Sequence, residues 1–168
     1  MGVLLEKRKA DIDHHLAKYP DKLSAVMPLL YIAQEEYGYI SDEAMREVAA
    51  IVDVDVTHIR GLIGFYMMYY DRPKGKYLIY ICTDLPCALV GAEDLSQHVC
   101  DHLGIQPGET TSDGLFTVEN VMCLGACHRA PLAQVNFRFR ENLTTESAVA
   151  MIEDLRREYE ASKPYRND

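Results

Sequence analysis

Four of the five cysteines fall into two close pairs, Cys82-Thr-Asp-Leu-Pro-Cys87 and Cys123-Leu-Gly-Ala-Cys127, with 35 residues between the pairs. A fold that uses all four thiols together must bring two loops side by side across the helix and strand that this interval can hold. Four thiolates from two loops can close around a [2Fe–2S] cluster, two per iron, or around one tetrahedral zinc ion. The spacing leaves both open, and leaves redox-active thiols open too. Gaps of four and three residues are off-centre for zinc knuckles, which favour two.

The segments around the pairs limit the architecture further. Up to about Tyr70 apolar residues recur at helical steps. A first amphipathic helix is expected over residues 3–18, ending near Tyr19-Pro20. A second is expected over 22–37, with Leu23, Val26, Met27, Leu30 and Ala33 on one face and Gly38 as its stop. Ser41 reads as the N-cap of a third helix running to Val52, and Thr57 as the cap of a fourth through Ile59, Leu62, Ile63 and Tyr66. Asp71-Arg-Pro-Lys-Gly75 then breaks the pattern, which places a domain boundary there: residues 1–72 as a helical region and 73–168 as a second domain.

In the second part, residues 76–81 read as a buried strand ending at Cys82, and 88–103 as a helix closed by Gly104. Residues 115–122 and 132–135 read as short strands around the second pair. Thr144 or Thr145 is expected to cap a last helix with Ala148, Met151, Ile152 and Leu155 inward, and 163–168 to be a frayed tail. Strand, helix, strand, strand, helix is an α/β layer arrangement over a small mixed sheet. Cys82 and Cys87 then share a strand-to-helix loop at the carboxyl end of a strand, where open sheets bind ligands. The start of that helix is expected to favour thiolate at Cys87, with Pro86 suited to its first turn. Gly125 lets the second loop turn tightly enough to aim N–H groups at sulfur.

Composition excludes several functions. A formal charge of −9 and a pI near 5.1 argue against direct nucleic-acid binding, which neutralises phosphates with clustered Lys and Arg. No apolar run approaches the ~20 residues of a membrane span, and the charges near Met1 follow rather than precede the short apolar stretch, unlike a secretory signal. The expectation is a cytoplasmic protein with no direct membrane insertion, whose cysteines serve metal or redox chemistry rather than disulfides. Glu6 stands where a myristoylation motif needs Ser or Thr.

At these residues the sequence resembles the [2Fe–2S] peripheral subunit, of the 24-kilodalton type, of respiratory NADH:quinone oxidoreductase, a thioredoxin-like ferredoxin family. The matching stretches are Cys82-Thr83, Cys87 and Gly91, then Cys123-Leu-Gly-Ala-Cys127, Ala130-Pro131 and Gln134-Val-Asn136. Met27-Pro-Leu-Leu30, Gln34-Glu-Glu36, Gly38 and Phe65-Tyr66 match in the helical half. The resemblance implies one [2Fe–2S] cluster, with Cys82 and Cys87 on one iron and Cys123 and Cys127 on the other. It implies single electrons accepted from the flavin of a partner subunit that carries FMN and NADH, in complex I and beside other peripheral-arm iron–sulfur subunits. It also implies that the N-terminal helices pack on that partner. The chain would then be a relay subunit of an oxidoreductase, peripheral to the inner membrane through the complex, with no complete active site of its own. No Gly-x-Gly-x-x-Gly fingerprint occurs. Similar subunits of NAD-linked hydrogenases and formate dehydrogenases are the alternative, and a zinc-stabilised interaction module is the alternative of another class.

Several residues carry blander expectations. Cys100 reads as a small buried hydrophobe. His128 reads as an ordinary loop histidine that at most tunes the centre, and adjacent His14 and His15 as surface residues on different helix faces. The run Phe65-Tyr-Met-Met-Tyr-Tyr70 reads as a linker helix or a docking surface. Phe137-Arg-Phe-Arg140 departs from the family where an Asp often follows Gln-Val-Asn. Ala130-Pro131, just before a strand near the cysteine loop, is the place where a thioredoxin-like fold is expected to hold a cis proline.

Overall fold

The computed structural model describes residues 2–162, and the tail expected to fray, 163–168, lies outside them. The chain divides into two compact units between Pro73 and Lys74.

In the first unit the opening helix is two pieces, α1 (Val3–Lys7) and α2 (Lys9–Leu16), because Arg8 leaves helical geometry at φ −119°, ψ 21°. The Glu47 carboxylate receives the Val3 and Leu4 N–H groups at the start of α1, at 2.9 and 2.8 Å, and the Tyr37 hydroxyl at 2.7 Å. The second expected helix opens as a 3-10 turn, Lys22–Ala25, and continues as α3 (Val26–Tyr37), stopped by Gly38 in the left-handed region. Ser41 caps α4 (Asp42–Val52) by accepting from the Ala44 N–H. The cap of α5 (Val56–Phe65) is Asp55, not Thr57: its carboxylate accepts from the Thr57 N–H at 2.8 Å. A carboxylate also suits the positive end of the helix better than a hydroxyl.

The aromatic run is not a helix. It begins where α5 ends, and residues 66–70 turn back over the helical unit. Tyr69 is buried there and donates to the Met27 carbonyl at 2.8 Å, while Gln34 donates to the Met68 carbonyl and accepts from the Tyr70 N–H, both at 3.0 Å. Phe65 and Met67 point to solvent.

The second unit is built on a four-stranded sheet of order β2-β1-β3-β4, from β1 (Tyr77–Cys82), β2 (Phe116–Val121), β3 (Ala133–Val135) and β4 (Arg138–Arg140). β1 is central and buried along its length, parallel to β2 and antiparallel to β3, so the sheet is mixed as expected. Helices α6 (Leu85–Ala88), α7 (Ala92–Leu103) and α8 (Thr145–Ser162) complete the unit. The helix expected over 88–103 is thus interrupted, with Gly91 in the left-handed region between α6 and α7. Thr144 caps α8: its hydroxyl accepts from the Ser147 N–H, and Ser147 returns a bond to the Thr144 N–H. Leu95, Val99 and Cys100 of α7 and Ala148, Ile152 and Leu155 of α8 share one buried core with Ile79, Ile81, Phe116 and Val118, and Met151 packs at its edge. Cys100 is fully buried there, as a packing residue.

Among the described residues no helix is long and apolar enough to cross a membrane.

Candidate metal centre

Cys82 is the last residue of β1, paired with Val121 of β2 on one side and tied by a backbone bond to the residue before β3 on the other. Its N–H donates to the Leu132 carbonyl at 3.2 Å, and the next N–H, of Thr83, to the Val121 carbonyl at 3.0 Å. The chain then turns through Asp84 into α6, with Pro86 in the first turn and Cys87 directed inward. Cys82 and Cys87 are buried in a small apolar cluster with Ala92, Ala126 and Leu132, and Leu124 and Ala130 pack at its margin. Sequence reasoning does not mark Ala92, Ala126 and Leu132 as site residues. Their sole signal is adjacency to the cysteine motifs.

The second pair is built differently. β2 ends at Val121, and Met122 to Ala126 form the turn that carries Cys123. Gly125 sits at φ +81°, a conformation L residues rarely adopt, and its N–H points at the Cys123 sulfur at 3.4 Å. Cys123 and Cys127 are exposed, with their sulfurs 3.5 Å apart. That is far beyond a disulfide's roughly 2.05 Å. It is close to the roughly 3.8 Å between two thiolates on one tetrahedral metal with bonds of about 2.3 Å. All five cysteines are free thiols.

The two pairs adjoin. Cys87 is hydrogen-bonded to Cys82 and is influenced by Cys127, and Cys127 is influenced by Cys123 and Cys82. Burial first, and the Cys82 thiol second, push Cys87 up to about 12, against the pull of the Leu132 backbone N–H. Cys127 is raised by its bond with Cys123 and then by burial. The thiolate expected at Cys87 from a helix start is therefore not what the structure gives: α6 has only four residues, and desolvation outweighs its dipole. Elevated thiols are poor nucleophiles, which disfavours dithiol redox chemistry. They are competent metal ligands, because a bound cation deprotonates a coordinating thiol outright. Among the described residues no three or more His, Cys, Asp or Glu side chains are gathered as a set for one metal ion. Two thiols per iron is the donor set that a [2Fe–2S] cluster needs.

Ala130–Pro131 is cis, as expected at this place. His128 lies in the exposed 3-10 turn Cys127–Arg129. His14 is exposed and His15 half-buried on α2. Around the cysteines, four large apolar side chains face solvent: Leu85, Leu89 and Val90 on the first loop at 68, 77 and 52% exposure, and Met122 beside Cys123 at 76%.

Known proteins share this arrangement of sequence and fold. The sequence model of the family described as thioredoxin-like [2Fe-2S] ferredoxin matches residues 12–156. An NADH-quinone oxidoreductase subunit of Rhizobium meliloti is 39% identical over 148 residues, 88% of this chain and 88% of the relative. An NADH-quinone oxidoreductase subunit of Thermus thermophilus is 45% identical over 127 residues, 74% of this chain and 70% of the relative. Among solved structures, an NAD+-reducing [NiFe]-hydrogenase in the air-oxidized state matches 81% of this chain and 24% of its own with a TM-score of 0.66. At 24% identity that likeness is one of fold alone.

Proposed function

The chain belongs to the thioredoxin-like [2Fe–2S] ferredoxin family, and on that premise we propose that it is the one-electron carrier subunit of an NADH:quinone oxidoreductase, holding one [2Fe–2S] cluster on Cys82, Cys87, Cys123 and Cys127. The observation that carries this reading is that Cys82 and Cys87, at the carboxyl end of the central strand, share a buried cluster with Ala126 of the loop that carries Cys123 and Cys127, which are themselves open to solvent. When bound, the cluster supplies a centre that takes up and gives up single electrons.

The chain's own residues do the rest. Cys82 and Cys87 would hold one iron, and Ala92, Ala126 and Leu132, packed around these two cysteines, keep water from that side. Cys123 and Cys127, both exposed, would hold the other. The Gly125 N–H at the Cys123 sulfur and the Leu132 N–H at Cys87 direct positive dipole ends toward two of the sulfurs, which would favour added negative charge on a bound cluster. The NADH and the FMN reside on a partner subunit. Leu85, Leu89, Val90 and Met122, exposed around the cysteines in a chain of net charge −9, suit contact with an apolar partner face. That contact would set the cysteine face of this chain against the partner. Attachment to the membrane is then indirect, through the assembled complex.

Anaerobic purification tests the reading. About two irons and two sulfides per chain, with a rhombic S = 1/2 signal after dithionite reduction, is the expected result. A colourless protein with one zinc replaces the electron carrier by a structural clip. Serine at Leu89 and Met122 should weaken co-purification with the flavoprotein while leaving the iron count unaltered, and undiminished assembly removes the docking face.

A further inference from the structure

The exposed cysteine turn is strapped to the rest of its unit from one side. Arg129 closes the 3-10 turn that begins at Cys127, and its guanidinium donates to the Glu141 carboxylate. The backbone follows the same path: Asn142 N–H donates to the Arg129 carbonyl and Leu143 N–H to the Pro131 carbonyl, both at 2.9 Å. Leu143 is buried in the main core, so residues 141–143 are an anchored strip. Glu141 is the fixed end of the ion pair, its side chain 27% exposed against 52% for Arg129. The other cysteine pair has no such need, since Cys82 is held by the sheet and Cys87 by burial.

We propose that Arg129 and Glu141 are positioning residues, and that their ion pair latches the exposed cysteine turn onto the 141–143 strip so that Cys123 and Cys127 stay aimed at Cys82 and Cys87. This rests on the reading that the four cysteines hold a cluster. The pair touches no ligand sulfur; it acts through the turn that carries two of them. An open latch would let the turn swing outward and make a metal held by the solvent-facing pair easier to remove. An exposed ion pair changes such an equilibrium by at most about fivefold, and that sets the expected size.

The test follows iron release from the anaerobically loaded full chain to excess bathophenanthroline disulfonate, read by chelate colour and by loss of the cluster's visible absorbance. Glu141→Gln and Arg129→Gln should each release iron faster than the wild type, by up to about fivefold. Arg129→Lys, which keeps the pair, and the swap R129E/E141R, which reverses it, should both return toward the wild-type rate. Arg156→Gln is the control, because it removes a surface pair with Asp113, together with a cation–π contact on Phe116, and neither involves the cysteine turn. It should leave the rate unchanged. Unaltered release in both single variants overturns the latch, as does equal acceleration by Arg156→Gln, which would make the effect one of general stability. Failure of both Arg129→Lys and the swap to restore the rate also overturns it. A wild-type chain that binds no iron defeats the cluster reading itself and is visible before any variant is compared.

Discussion

Replacing Gly125 by alanine puts a side chain on a residue held at φ +81°. Space is not the difficulty, since a Cβ there meets nothing within 4 Å. The cost is conformational. An L residue in the left-handed region loses about 1–2 kcal/mol, and alanine recovers about 0.4–1 kcal/mol by reducing the freedom of the unfolded chain. A turn that keeps its shape therefore loses about 1 kcal/mol net, and the apo protein should melt about 4–8 °C lower for a domain of roughly 100 residues. Its reduction potential stays as it was, because the N–H still reaches the Cys123 sulfur. A turn that relaxes instead escapes the strain and keeps its melting temperature. It then withdraws the donor now 3.4 Å from that sulfur, and the more negative reduced state loses a stabilising dipole, so the potential falls. Thermal unfolding of the apo chain and an EPR-monitored redox titration of the loaded chain read the two outcomes separately. Gly125→Asn, which tolerates a positive φ, should show less of either. A Gly125→Ala protein with both wild-type melting temperature and wild-type potential refutes the role assigned to this glycine.

Three further outcomes follow from the second unit. A Cβ at Gly75 would lie 2.7 Å from the Phe116 carbonyl carbon and 2.9 Å from the Phe116 and Thr117 nitrogens, so Gly75→Ala must shift either its own backbone or the start of β2; urea unfolding should show a loss of about 1–3 kcal/mol, and a neutral result contradicts the close approach. Cys100→Ala should cost roughly 1 kcal/mol in the same assay with iron per chain unaltered, and lost iron would make Cys100 more than a packing residue. Thr111 donates to the Asp113 carboxylate, with the Leu115 N–H and Arg156 beside it, and together they hold this carboxyl below its ordinary 3.8. A depressed folded-state value stabilises the protein fully above the unfolded value and is lost as pH falls through the folded one, so Asp113→Asn should flatten the acid limb of stability below about pH 4; an unchanged limb counts against the network.

The loops that carry the cysteines were legible because their signal is chemical. Thiols at those spacings have few uses, and strand-ending Cys82, Pro86 in the first turn of α6 and the turn at Gly125 each follow from local rules that nothing distant overrides. Helix edges were less so. Asp55 and Thr57 are both acceptable caps, and the choice depends on which residue enters helical geometry first, a competition settled within about a kcal/mol. The break at Arg8 leaves the apolar period of 3–18 intact and is therefore silent in the pattern. The run 65–70 misled for a different reason. Its six large side chains divide between burial and solvent through turn geometry, with Tyr69 reaching the Met27 carbonyl, and no periodicity encodes a contact across 42 positions. The raised thiols of the site are likewise beyond the sequence, since desolvation is a property of the packed cluster and not of the motif.

The hairpin between β3 and β4 shows how tertiary bonding can specify a turn that local preference does not. With Val135 opposite Arg138, the loop has two residues, Asn136 and Phe137, at φ +45° and +65°. Such turns favour Asn followed by Gly, and a phenylalanine in the left-handed region costs about 1–2 kcal/mol. What offsets this lies on the neighbouring strand. β3 stops pairing at Ile79, and Asn136 carries the ladder on past it: its N–H donates to the Leu78 carbonyl at 3.0 Å, its side-chain oxygen accepts from the Leu78 N–H at 2.9 Å, and its amide donates to the Lys76 carbonyl at 3.0 Å. The side chain thus acts as a further strand residue for β1. The Phe137 ring, tilted 6.4 Å from that of buried Tyr80, covers the same stretch. Because both compensations come from residues more than fifty positions away, β4 leaves no trace in a local reading of Phe137-Arg-Phe-Arg140. The same bonds steady the N-terminal half of the strand whose last residue is Cys82, so a turn that violates local rules at one end of β1 helps to fix the register that presents the first cysteine at the other.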